Sequence, residues 1–156
     1  MGITRVYVDT SVFGGQFDDE FKTPSLRFFD QVRKDYFRLV TSAIVSQEIS
    51  GAPPEVRRFY EDVLESAEVL EISDEARDLQ RAYVRSGIVP EQYSMDALHV
   101  ALASVSECPL IVSWNFKHIV HYQKIPMYNA VNVLHGFRAI SIYSPSEVID
   151  YEAENL

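Results

Sequence analysis

Short apolar runs rich in β-branched residues alternate along the chain with longer stretches whose apolar positions recur every three or four residues. Residues 3–8 (Ile-Thr-Arg-Val-Tyr-Val), Leu39-Val40-Thr41-Ser42, Val69-Leu70-Glu71-Ile72, Leu110-Ile111-Val112-Ser113 and Ala139-Ile140-Ser141-Ile142-Tyr143 read as strands. Between them, Ser25 opens a predicted helix with Leu26, Phe29, Val32 and Phe37 on one face. A short helix over 43–49 carries Glu48, and Val56, Phe59, Tyr60, Val63 and Leu64 mark a helix over 55–66. Another begins at Ser73 to Ala76 and stops at Gly87. Ser94 reads as the cap of a helix from Met95 to Ser106, apolar almost throughout Ala97–Ala103, and Ser144-Pro145-Ser146-Glu147 starts a last helical turn. Gly51-Ala52-Pro53-Pro54 breaks the chain, and Gly14-Gly15 followed by Asp18-Asp19-Glu20 reads as a loop.

Short apolar strands alternating with helices predict a three-layer α/β/α sandwich around a central, mostly parallel sheet of four or five strands. The 156 residues suit one domain, placed at 1–149, with an acidic, frayed tail at 150–156. No internal repeat or linker divides the chain.

Charge and cysteine usage narrow the function. Fourteen basic against 23 acidic side chains give a net charge of −9, the wrong sign for a protein that coats nucleic acid. A local basic strip is still open to Arg33-Lys34, Arg57-Arg58, Arg5, Lys117 or Lys124. The single cysteine, Cys108, excludes an internal disulfide framework and zinc sites built on paired cysteines, and reads as a small buried hydrophobe. No apolar run has membrane length, no signal peptide precedes the first strand, and Val6 stands where a myristoylation signal wants Ser or Thr. A soluble cytoplasmic domain without membrane contact is expected. No G-x-G-x-x-G, P-loop or G-x-S-x-G motif occurs. A strand–Asp phosphatase would need a second Asp at position 11, which is Ser11.

Ligands of open parallel sheets bind beyond the carboxyl ends of the strands. Asp9 directly follows the first strand, Glu48 lies shortly after the second, Asn115 follows the strand at 110–113, and Asp96 opens the apolar helix. Three carboxylates and an amide oxygen make a hard-oxygen donor set of the kind Mg²⁺ and Mn²⁺ prefer. The same residues have plainer readings. Asp9 suits a helix cap, Glu48 a solvated carboxylate, Asp96 a first-turn acid and Asn115 a turn residue. His99 reads as a buried, hydrogen-bonded histidine. His118 and His121 would share a face on a helix and form a weak zinc candidate. The pairs Phe28-Phe29, Tyr36-Phe37 and Phe59-Tyr60 suit either core or an exposed groove for a partner helix.

Four segments carry a resemblance: Val-Tyr-Val-Asp9-Thr-Ser-Val-Phe, Ser46-Gln-Glu48-Ile, Ser94-Met-Asp96-Ala-Leu-His-Val-Ala-Leu-Ala and Ile111-Val-Ser-Trp-Asn115-Phe-Lys-His118. In this order, over nearly the whole chain, they resemble the PIN domain family and its VapC-like toxins. The resemblance implies a metal-dependent endoribonuclease with a cognate antitoxin partner, commonly a homodimer. Asp9, Glu48 and Asp96 match the family's acidic metal positions. Asn115 stands where an Asp is usual, which leaves a formal site charge of −3 rather than −4 and weakens a second metal. The implied roles are Asp9 and Asp96 on Mg²⁺ or Mn²⁺, Glu48 on the attacking water and Asn115 on metal or substrate. Thr10 and Ser11 are candidates to fix Asp9, hold a water or touch substrate, and Lys117 and His118 to touch phosphate. Two other readings stand beside it: a PIN-like RNA- or protein-binding module that has lost catalysis, and an RNA-processing PIN nuclease without an antitoxin.

Overall fold

A computed structural model of the protein describes residues 3–152. Five strands, β1 (Thr4–Val8), β2 (Phe37–Ser42), β3 (Glu68–Leu70), β4 (Leu110–Val112) and β5 (Ser141–Tyr143), form one sheet in the order β3-β2-β1-β4-β5. Every pairing is parallel, with Val6 opposite Leu39 on one side and Leu110 on the other. Parallel strands are covered on both faces, and Val6, Tyr7, Val8, Ile111 and Val112 are accordingly fully buried. The helices are α1 (Thr10–Gly15), α2 (Lys22–Arg33), α3 (Ala43–Ile49), α4 (Pro54–Leu64), α5 (Asp74–Arg85), α6 (Ser94–Val105), α7 (Ile125–Leu134) and α8 (Pro145–Val148). They pack as two groups, α1–α4 with α8, and α5–α7, giving the expected sandwich. No helix among the described residues is long and apolar enough to cross a membrane.

The chain leaves β1 toward β2 and β3 on one side, and later returns to β4 and β5 on the other. The strand order therefore reverses between β1 and β4, and the crevice at such a switch point is where open α/β sheets take ligands.

Several local expectations change. Gly14 and Gly15 belong to α1 rather than a loop. Gly15 is there for space, because a Cβ would stand 2.6 Å from Ser25 Oγ and 2.7 Å from Trp114 Nε1. Helix α2 starts three residues before Ser25, and its buried face is Ser25, Phe28, Phe29 and Gln31, with Leu26 exposed and Phe37 already in β2. Ser94 caps nothing through its side chain: a 3₁₀ turn, Glu91–Tyr93, leads directly into α6. Ser73, by contrast, accepts from the Ala76 amide and caps α5, and Gly87 sits at φ +79° just past its end.

Helix α7 had no periodic signal, because its apolar residues surround the axis. Tyr128 and Val131 are buried while Met127, Val133 and Leu134 are exposed. Buried Asn132 locks α7 to the sandwich, donating to Ser104 Oγ and accepting from the Tyr83 hydroxyl. Phe28, Phe29 and Tyr60 join the core, whereas Tyr36 is exposed and Phe59 half-buried. At the chain's acidic end, Gln31 donates to the Asp150 carbonyl and accepts from its amide, both at 2.9 Å. Residues 153–156 of the expected tail lie outside the described residues.

Candidate functional site

Asp9 occupies the switch point. It leaves β1 in extended geometry as the first residue before α1 and is only 4% exposed. Its carboxylate does not cap α1. Instead Ser11 Oγ donates to Oδ1 at 2.6 Å and Ser113 Oγ, just past β4, donates to Oδ2 at 2.8 Å. Each serine also accepts a backbone amide, Trp114 N on Ser11 and Asn115 N on Ser113. The exits of β1 and β4 are thus stitched together through one buried carboxylate. Ser11 holds Asp9, with its hydroxyl engaged on both sides.

Burial pushes the Asp9 carboxyl above its usual value, and the nearby negative charge of Glu48 adds to this. The charge of His99 and the two serine hydroxyls act in the opposite direction without cancelling it. The Asp9 carboxylate is thus fixed by hydrogen bonds while burial disfavours its charged form.

Glu48 reaches the same crevice from α3. Its Oε1 accepts from Thr10 Oγ1 at 2.7 Å and from His99 Nε2 at 2.8 Å. Burial raises its pKa, but the His99 hydrogen bond and charge and the Thr10 hydroxyl outweigh burial, so the net shift is downward. Since a carboxylate only accepts, His99 donates through Nε2. Its Nδ1 meets the Tyr7 hydroxyl at 2.8 Å. Tyr7 in turn meets Ser42 Oγ at 2.8 Å, and Ser42 also caps α3 through the Val45 amide. A hydrogen-bonded chain from buried Ser42, Tyr7 and His99 to exposed Glu48 therefore fixes one side of the crevice. The expected buried, hydrogen-bonded His99 is present, but its partner is a candidate site residue. Tyr7, Ser42 and Ser113 carried no signal in the sequence. Each meets its partner across strands or helices far apart along the chain.

Asp96 lies in the first turn of α6, three residues before His99 and so on the same face of that helix. Its carboxylate makes no hydrogen bond or ion pair among the described residues, and it faces His118, whose pKa its charge raises. Asn115 forms a turn, its Oδ1 accepting from the His118 amide at 3.0 Å. The plainer reading of Asn115 thus describes its present contact, one that an Asp would make equally well.

Residues 116–124 are turns rather than a helix, so His118 and His121 do not share a helix face. His118 is buried, packs 4.4 Å from the Tyr93 ring, and neither ring nitrogen has a hydrogen-bond partner. Burial holds its pKa down, the charge of Asp96 opposes this, and Lys124, Lys117 and His121 reinforce it. Lys117 Nζ stands 4.9 Å from the centroid of the same Tyr93 ring. Two candidates for a basic strip are occupied elsewhere: Arg5 pairs with Glu68, and Lys124 donates to the Ile88 carbonyl.

Glu48 is joined to α6 through His99, and Asp9 to Asn115 through Ser113. Among the described residues, no group of three or more His, Cys, Asp or Glu side chains is placed to hold a metal ion.

A scan against family models finds no match, and a search of curated proteins finds none either. Solved structures do match. One is a chain in VapBC2 from Rickettsia felis bound to a DNA fragment from their promoter, at TM-score 0.55 and 15% identity, covering 73% of this chain and 90% of that one. Another is a chain in FitAcB from Neisseria gonorrhoeae, at TM-score 0.53 and 13% identity, covering 90% and 97%. At these identities the likeness is one of fold, and the fold of this chain is the PIN-like α/β/α sandwich.

Proposed function

We propose that the protein is a metal-dependent endoribonuclease, the toxin of a VapBC-like toxin–antitoxin pair. The observation that carries this reading is the pair of carboxylates, Asp9 and Glu48, held by side-chain hydroxyls and His99 at the switch point of the sheet. Asp9 and Asp96 would hold Mg²⁺ or Mn²⁺, with the Asn115 amide oxygen and Glu48 as further donors. When bound, the ion supplies a lowered pKa for water and a counter-charge for the scissile phosphate.

The chain's own residues do the rest. Ser11 and Ser113 hold both Asp9 oxygens in place. Glu48, kept ionised by His99 and Thr10, is oriented to take a proton from the attacking water. Lys117, beside the Tyr93 ring, would meet the phosphate, while buried His118 packs against that ring. The cleft of about 440 Å³ between α2 and α4, lined by Phe29, Val32, Phe59 and Val63, suits an apolar segment of an antitoxin. A homodimer completes the proposed assembly.

The test is incubation of mixed cellular RNA with Mg²⁺, with Mn²⁺ and with chelator, using wild type and Asp96→Asn. Cleavage that needs metal and is lost in the variant is expected. Absence of cleavage by folded wild type in either metal contradicts the reading. Metal-independent RNA binding without cleavage would favour the non-catalytic module instead.

A further inference from the structure

Helix α5 reads in sequence as mixed charge, Asp-Glu-Ala-Arg-Asp-Leu-Gln-Arg-Ala-Tyr-Val-Arg from Asp74 to Arg85. Wound into a helix, the arginines form a row, with Asp74 and Asp78 on the same side of the helix. Arg77, Arg81 and Arg85 recur every four residues, about 6 Å apart along the axis, and all are exposed. They line a groove of about 440 Å³ together with Gln80 and Val84. Glu75 and Asp78 instead line a separate hollow with His135 and Phe137, which Arg81 and Arg85 also border. Arg81 pairs with Asp78, while Arg77 and Arg85 make no hydrogen bond or ion pair among the described residues.

The opposite wall of the groove is Glu91, Ser94 and Met95, its end lying immediately before Asp96. Gln80 fixes the two walls by donating to the Ser94 carbonyl at 2.8 Å. In a chain of net charge −9, a row of guanidinium groups running to the edge of the candidate site is where an approaching polyanion would be held. Arginine is also the side chain best suited to phosphate oxygens.

Resting on the endoribonuclease reading, we propose that the α5 groove holds the backbone of single-stranded RNA, with Arg77 and Arg85 contacting separate phosphates and leading the strand to Asp96. The groove contributes affinity without base identity, since phosphate contacts carry no sequence information.

The test is fluorescence anisotropy of a labelled 12-nucleotide single-stranded RNA of mixed sequence, with chelator present so that no cleavage intervenes, over a range of salt concentrations. Arg77→Gln/Arg85→Gln is compared with Arg57→Gln/Arg58→Gln, which removes the same charge from exposed positions on α4. Melting curves confirm that both are folded. The groove variant is expected to bind about tenfold more weakly at low salt, with a log–log salt slope shallower by about 1.4, the value for two lost phosphate contacts on a single strand. The α4 variant keeps the wild-type slope.

Equal losses in both variants, or no loss in either, overturn the proposal, as does absence of RNA binding by wild type. So does unchanged RNA affinity with lost binding of a polyglutamate peptide, which would make the groove a dock for an acidic protein segment. Cleavage is measured separately with metal. Intact metal-dependent cleavage with unchanged RNA affinity in the groove variant overturns the groove alone. Lost affinity in that variant with no cleavage by wild type supports the groove and overturns the nuclease reading alone.

Discussion

The two sides of the crevice differ in how their polar groups are held. On the β1–α3 side, Asp9 and Glu48 each accept two side-chain hydrogen bonds, and the donors are themselves anchored through Trp114, Asn115, Tyr7 and Ser42. On the β4–α6 side, Asp96 accepts none, His118 leaves both buried ring nitrogens unpartnered, and the Asn115 side chain is engaged only in its own turn. The first side is preorganised, so its geometry is fixed before any ligand arrives. On the second, Asp96 is held by no hydrogen bond or ion pair among the described residues. On the proposed reading, metal and phosphate would complete the less constrained side.

The largest test of this contrast is Asp9→Asn. It keeps a side chain able to accept from Ser113 while removing a charge that burial penalises. Activity is expected to fall by about 10³-fold or more, the scale of several kcal/mol of metal-derived stabilisation. The melting temperature of the metal-free protein should rise by a few degrees. The signs of the pH dependence separate the two acids. Asp9, with its raised folded pKa, contributes stability that is full below its usual 3.8 and declines as pH rises through the raised value. Glu48, with its lowered folded pKa, contributes stability present above its usual 4.5 and lost as pH falls through the lowered value. Thermal melts between acid and neutral pH should therefore show the loss on raising pH disappear in Asp9→Asn, and the loss on acidification shrink in Glu48→Gln.

A smaller effect is expected from the supporting chain. His99→Gln should lower kcat by about 10- to 100-fold, as loss of a supporting hydrogen bond at a metal site commonly does, with KM unchanged. Tyr7→Phe should act in the same direction but less strongly, since it touches Glu48 only through His99. A fall in melting temperature with unchanged kcat would reduce the chain to a packing role.

The smallest change comes on the open side. Asn115→Asp preserves an acceptor for the His118 amide and adds the charge this site lacks. Mn²⁺ affinity is expected to rise a few-fold, read by calorimetry. Unchanged affinity would remove Asn115 from the donor set.

The parts of this arrangement that were legible in the sequence are those with a local signature. Asp9 stands out because a carboxylate directly follows a buried strand, and the helix over 43–49 carrying Glu48 is found with the same bounds. The supporting groups leave no such mark. Tyr7 and His99 are 92 residues apart, Ser113 and Asp9 104 apart, and only the parallel pairing of β1 with β4 brings the latter together. Gly14-Gly15 reads as a loop because the space Trp114 demands at Gly15 comes from the far end of the chain. The arginines of α5 were hidden by interleaved Asp74, Glu75 and Asp78, and only the wall of Glu91, Ser94 and Met95 packed beside them shows that they line a groove.

The central claim is that Asp9 and Asp96, from opposite sides of the crevice, hold one ion. Titration of the protein with Mn²⁺, followed by loss of the free-ion paramagnetic resonance signal, tests it without requiring the right RNA. The account predicts that wild type binds Mn²⁺ and that Asp9→Asn and Asp96→Asn each weaken binding by more than about tenfold. Equal Mn²⁺ affinity in all three proteins, or no binding by wild type, would contradict it.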